Sequence, residues 1–163
     1  MTAVTPPLLV LAWGNRSRGD DALGPLFAER LRGRLREPER GRVAFLEDFQ
    51  LQVEHALDLL GRERVLFVDA SLDCAQPFQA SPVLAMRDSS FTTHAMSPAA
   101  VLQVFRELYG HEPPPCTLLA IRAARFELGA APAAAALENL SLAVNWALGW
   151  LTAPADSRPA GGC

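Results

Sequence analysis

The stretch that decides the fold is Leu8-Leu9-Val10-Leu11-Ala12-Trp13-Gly14-Asn15, which runs directly into Arg16-Ser17-Arg18-Gly19-Asp20-Asp21-Ala22-Leu23-Gly24. A short, wholly apolar run is typical of a strand buried in a parallel sheet. Here the run ends at a loop that carries two adjacent carboxylates. Ligands of open α/β sheets bind in the crevice outside the carboxyl ends of the strands. The sequence therefore predicts that Asp20 and Asp21 lie at the edge of the sheet where ligands bind.

The composition favours one cytoplasmic domain. A chain of 163 residues with 50% hydrophobic residues can bury a real core, and we expect a domain over 1–153 and a flexible tail over 154–163. The net charge of −3 and the lack of a basic stripe argue against nucleic-acid binding. Three widely spaced cysteines, Cys74, Cys116 and Cys163, favour a reducing compartment. The apolar run at Leu8 is too short for an export signal or a membrane span.

Apolar periodicity predicts strands that alternate with helices. Besides the first strand, strands are predicted at Arg42–Glu47, Val65–Val68, Ser81–Met86 and Thr117–Ile121. Helices are predicted from Leu23 toward Leu35, at Val53–Leu60, after the Ser97-Pro98 cap, and at Pro132–Leu151. This alternation predicts an α/β three-layer sandwich, in which helices flank a mostly parallel, twisted, five-stranded sheet.

Three residues at separate strand-to-helix junctions could converge at the sheet edge. Asp21 follows the first strand, Asp69 follows the third, and His94 precedes the Ser97-Pro98 helix start. Two carboxylates and an imidazole suit a divalent transition metal such as nickel, zinc, cadmium or manganese. Each residue also has an ordinary explanation: the aspartates as helix caps or turn residues, with Asp20 the better cap, and His94 as a polar loop residue. A metal site is favoured only because all three residues are predicted to lie at the same edge of the sheet.

Other kinds of site fit the sequence less well. The glycines after the first strand do not match a dinucleotide-binding fingerprint, and two carboxylates would repel a phosphate there. No G-x-S-x-G elbow marks a serine hydrolase. Cys74, near Asp69, is better explained as a small buried thiol than as a nucleophile.

In these residues the chain resembles the hydrogenase maturation endopeptidases, which remove a C-terminal extension from the large subunit of nickel-iron hydrogenase after nickel insertion. Gly14-Asn15 with Asp20-Asp21-Ala22-Leu23-Gly24 is similar to that family's first signature, and Val68-Asp69-Ala70 and Thr92-Thr93-His94 with Ser97-Pro98 match the next two blocks in order. Leu108-Tyr109-Gly110 and Arg125-Phe126-Glu127-Leu128-Gly129 look most like the subgroup that serves soluble or bidirectional NAD-linked hydrogenases.

The resemblance implies a metal-recognising, monomeric peptidase of the cytoplasm. Asp21, Asp69 and His94 would bind nickel supplied by the substrate, the hydrogenase large-subunit precursor, without an organic cofactor. Asp48 falls where some relatives carry another acid, so that Asp48 or Asp20 would act as the base. Two alternatives stay open: a non-enzymatic, metal-dependent chaperone or checkpoint protein for the large subunit, and a small-molecule hydrolase with a closed apolar pocket beside His94.

Overall fold

The computed structural model describes residues 4–87 and 96–154. The strands are β1 (Leu8–Trp13), β2 (Val43–Asp48), β3 (Arg64–Ser71), β4 (Phe78–Val83) and β5 (Cys116–Arg122). The helices are α1 (Leu23–Arg34), α2 (His55–Asp58), α3 (Pro98–Tyr109) and α4 (Ala134–Thr152), with short 3-10 turns at Gly19–Ala22 and Glu39–Arg42. The predicted ligand His94, Cys163 and nearly all of the predicted tail lie outside the described residues.

The five strands form one sheet in the order β2-β1-β3-β5-β4. Every neighbouring pair is parallel except β4 with β5. The predicted α/β fold with a mostly parallel, five-stranded sheet is therefore confirmed. Strand β4 begins at Phe78 rather than at Ser81 and ends at Val83. Its position at the sheet edge explains why it accommodates Pro82, since proline cannot donate a backbone hydrogen bond to a second neighbour.

Helices cover both faces of the sheet. One apolar cluster joins Leu8, Val10 and Ala12 to residues of α1 and α4. A second cluster joins Leu9 and Leu11 to residues of α2 and α3. Successive residues of a strand point to opposite faces, so a strand that is covered on both sides must be apolar at every position. This burial is the physical reason for the uninterrupted run at the start of the chain.

The starts of two helices test the predicted boundaries. Helix α3 begins as expected, because the Ser97 hydroxyl accepts a hydrogen bond from the Ala100 N–H at 3.1 Å and Pro98 occupies the first turn. Helix α2 is shorter than the predicted span, with four residues between tighter turns. In the described parts of the chain, no helix has the length and apolar character needed to cross a membrane.

Candidate active site at the carboxyl edge of the sheet

Three neighbouring strands end side by side at this edge. Trp13 at the end of β1 pairs in register with Asp48 at the end of β2, and Ala12 pairs with Val68, which places Asp69 level with Trp13. Residues paired across parallel strands point to the same face, here the face covered by α2 and α3. At a strand spacing of about 4.8 Å, the backbones of Asp48 and Asp69 lie roughly 10 Å apart, on either side of Trp13.

Two glycines allow the loop that carries Asp20 and Asp21, which we call the acidic loop, to pack on the end of β1. Gly14 has a φ of 148°, and a Cβ there would lie 2.0 Å from the Asp21 carbonyl oxygen. A Cβ at Gly24 would lie 2.2 Å from the Trp13 carbonyl oxygen. Neither separation is possible between real atoms, so the contact between loop and strand requires glycine at both positions. These glycines belong to the same stretch as the aspartates, and they bring Asp21 to the strand end.

Asp21 and Asp69 are brought together at this edge. The Asp21 Oδ2 accepts a hydrogen bond from the Asn15 N–H at 3.0 Å. Burial raises the pKa of Asp69 to about 7, and repulsion from Asp21 adds to the increase, although the Ala70 N–H and the Trp13 indole donate hydrogen bonds to its carboxylate. Two carboxylates that repel each other in a partly buried position are both stabilised by a cation. Carboxylate oxygens are ligands that divalent metals accept, so this pair could supply two of the three predicted metal ligands.

Asp20 has different contacts from its neighbour. Its side chain is buried, with 1% exposure. The Oδ2 atom accepts from the N–H groups of Ala124 at 2.7 Å and Arg125 at 3.3 Å, and Oδ1 accepts from Ala133 N–H at 2.7 Å. The expected helix cap is wrong, since neither the 3-10 turn at Gly19–Ala22 nor α1 has a side-chain cap. Asp20 instead ties the acidic loop to the segment between β5 and α4. Its role as a base stays a prediction, and its burial favours Asp48, whose side chain is 34% exposed, for that role.

The segment between β5 and α4 packs against the acidic loop. Backbone hydrogen bonds join Gly19 N–H to Ala130 O at 3.0 Å, and Gly129 N–H to Ser17 O at 2.7 Å. An isolated antiparallel bridge pairs Arg18 with Leu128. The block Arg125–Gly129, noted in the sequence only for its resemblance, thus lies directly against the loop that carries Asp20 and Asp21.

Asp48 is paired with a histidine that sequence reasoning missed. The Nε2 atom of His55 lies 3.4 Å from the Asp48 Oδ2, and the Asp48 Oδ1 accepts from the Phe49 N–H at 2.7 Å. The Nδ1 atom of His55 accepts from the Gln52 N–H at 2.8 Å. The available signal was positional: His55 stands in the predicted helix that directly follows Asp48.

An exposed apolar surface borders Asp48. Phe49 is 71% exposed, and the α2 stripe, which we define as Val53, Leu57 and Leu60, is between 43% and 56% exposed. Leu57 lies on α2, and Val53 and Leu60 lie in the turns on either side of it. Apolar patches of this kind mark surfaces that contact other proteins.

Only two of the three predicted metal ligands lie within the described residues. Asp21 and Asp69 come together, whereas His94 lies outside the described residues. Among residues 4–87 and 96–154, no three histidine, cysteine, aspartate or glutamate side chains form a group that could hold a metal. The three-residue site therefore stays a prediction. Cys74 is buried, as expected of a small core thiol.

The fold and this edge define an α/β protein with an open, twisted sheet and an acidic pair at the carboxyl ends of its central strands. Among solved structures, the chain is similar to the hydrogenase maturation protease HycI of Thermococcus kodakarensis, with a TM-score of 0.67, 21% identity, and coverage of 91% of this chain and 94% of that one. It is also similar to the hydrogenase maturating endopeptidase HybD of E. coli, with a TM-score of 0.69, 24% identity, and coverage of 88% and 91%.

A third similar structure is the hydrogenase 2 maturation peptidase of a Thaumarchaeota archaeon, with a TM-score of 0.62, 20% identity, and coverage of 89% and 97%. No protein-family profile and no curated protein sequence matches the chain. At these identities the likenesses show the fold.

Proposed function

We propose that this protein is an endopeptidase that removes the C-terminal extension of a nickel-iron hydrogenase large-subunit precursor after nickel insertion. The observation that carries the proposal is the Asp21 and Asp69 pair, held at the edge of a fold shared with three solved maturation proteases. In this proposal Asp21, Asp69 and His94 bind the nickel already seated in the substrate. Binding of this nickel then distinguishes a precursor that has received its metal from one that has not.

The chemistry required is hydrolysis of one peptide bond. The substrate nickel polarises the scissile carbonyl or acidifies a water molecule. Asp48 takes a proton from that water as the water oxygen attacks the carbonyl carbon, and it returns the proton to the leaving amine when the C–N bond breaks. The Asp48 side chain is 34% exposed, so water can reach it.

The surroundings of the site favour a protein substrate over a small molecule. Asp48 and Asp69 lie at the edge of an open sheet, and Phe49 and the α2 stripe present apolar side chains next to it. We further propose that the protein acts as a monomer in the cytoplasm. Its blocks Leu108–Gly110 and Arg125–Gly129 support a soluble or bidirectional NAD-linked hydrogenase as the source of the precursor.

The proposal is tested by incubating the protein with nickel-loaded and nickel-free precursors and measuring the precursor mass. We expect a defined C-terminal peptide to be lost only from the nickel-loaded precursor, and Asp21→Asn and His94→Ala to abolish that loss. Asp73→Asn, at an exposed position beyond β3, is the matched control and should cleave normally.

Three outcomes would contradict the proposal. Equal cleavage of nickel-free precursor, or full activity in the Asp21→Asn and His94→Ala variants, would overturn recognition of nickel by these residues. A stable complex with the precursor at unchanged mass would instead identify a non-enzymatic checkpoint protein.

A further inference from the structure

The histidine beside Asp48 has both of its ring nitrogens engaged. His55 is 8% exposed, and the Gln52 N–H donates to its Nδ1. A nitrogen that accepts a hydrogen bond carries no proton, so the neutral imidazole must have its hydrogen on Nε2. The Nε2 atom lies 3.4 Å from the Asp48 Oδ2. The backbone of Gln52 thus selects the tautomer that can donate to Asp48.

Asp48 is fixed from three directions. Its Oδ1 accepts from the Phe49 N–H, its Oδ2 faces His55, and its backbone carbonyl accepts from the Gly14 N–H at 3.1 Å. The last contact joins Asp48 to the same glycine that brings the acidic loop onto β1. The carboxylate therefore has a defined orientation at the edge, while part of it stays open to water.

We infer that His55 is a positioning residue that holds the Asp48 carboxylate in the orientation a general base needs at the carboxyl edge of the sheet. The inference rests on the proposed peptidase function. A base is effective only when it is within hydrogen-bonding reach of the proton it removes. Loss of the His55 donor should therefore lower kcat rather than weaken precursor binding.

Two substitutions separate this role from a purely structural one. In His55→Asn, the amide oxygen can take the place of Nδ1 and keep the bond from Gln52, but nothing reaches Asp48. In His55→Gln, the longer amide can place an N–H near the position of Nε2 and donate to Asp48, but the bond from Gln52 is lost. A role limited to the turn before α2 would be preserved by asparagine, and the proposed role by glutamine.

The test measures kcat and KM of the full-length variants on nickel-loaded precursor, with urea unfolding as the check on folding. We expect His55→Asn to lower kcat by about 10-fold or more at unchanged KM, and His55→Gln to retain kcat within a few-fold of wild type. Asp48→Asn should lose roughly 10²-fold to 10⁴-fold, the contribution of a general base. Adding His55→Asn to Asp48→Asn should cause no further loss, because the two residues act through one proton transfer.

The inference is overturned if His55→Asn cleaves as fast as wild type, if its defect lies only in KM or in stability, or if the effects of the two substitutions multiply. When the wild-type protein cleaves the precursor, any of these results overturns only the role of His55 and leaves the proposed peptidase function intact. Failure of the wild-type protein to cleave nickel-loaded precursor would overturn the peptidase function itself, and the His55 inference with it.

Discussion

Asp69 is ionised at a cost to the folded protein. Its pKa is raised to about 7, mainly by burial and further by repulsion from Asp21, whereas an unperturbed aspartate titrates near about 3.9. An acid with a raised pKa binds its proton more tightly in the folded state than in the unfolded state. Stability is therefore highest below the unfolded pKa and falls as the pH rises toward the folded pKa. At about 1.4 kcal/mol per pKa unit, the cost above neutral pH is of the order of a few kcal/mol.

We predict that Asp69→Asn stabilises the metal-free protein in a pH-dependent manner, because asparagine resembles the neutral acid. The difference in the free energy of unfolding between variant and wild type should grow between about pH 4 and 7 and level off above that range. Urea unfolding with a chelator present, at several pH values, measures this difference. Asp73→Asn should show no such trend, and a pH-independent difference for Asp69→Asn would contradict the assigned cost.

At the scale of elements, the hydrogen bonds of Asp20 join the turn before α1 to the segment before α4. Three backbone N–H groups donate hydrogen bonds to the two carboxylate oxygens of Asp20, and this side chain is buried. An amide side chain would turn one acceptor into a donor and leave a buried N–H unpaired. We predict that Asp20→Asn lowers the free energy of unfolding by about 2–4 kcal/mol.

Asp21→Asn provides the comparison for this prediction, because Asp21 is only partly buried and accepts a backbone hydrogen bond from Asn15. Its effect on urea unfolding should be clearly smaller than that of Asp20→Asn. Equal stabilities for Asp20→Asn and wild type would show that the contacts of Asp20 do not hold these elements together.

The sequence predicted the succession of elements well because local periodicity reports burial. The run at Leu8 and the Ser97-Pro98 cap depend on neighbours a few residues away, and both predictions are confirmed. The function of Asp20 could not be predicted, since its partners lie 104 to 113 residues further along the chain. The pairing of His55 with Asp48 was missed for a related reason: it depends on how α2 packs against the end of β2. The contribution of His94 stays a prediction.

The whole molecule presents its acidic edge beside an apolar surface. Leu57, in the α2 stripe, is 56% exposed. If this surface contacts the precursor, a charge there should weaken binding without affecting the chemistry. We predict that Leu57→Glu raises KM for nickel-loaded precursor by about 10-fold or more and leaves kcat within about 2-fold, since the loss of one buried apolar contact costs on the order of 1–3 kcal/mol.

Steady-state cleavage assays measure both constants. Leu142→Glu is the matched control, because Leu142 is also exposed, at 48%, but lies on α4 on the opposite side of the sheet. Similar KM values for Leu57→Glu and wild type would exclude the α2 stripe from the contact surface.

The bonds between Asp20 and the segment before α4 also bear on how the protein is made. The acidic loop is translated early, yet the amides that hold it belong to Ala124, Arg125 and Ala133. While the ribosome is still adding the last quarter of the chain, Asp20 lacks all three of these hydrogen bonds. The acidic edge of a nascent chain is therefore completed only when synthesis of the protein is almost finished.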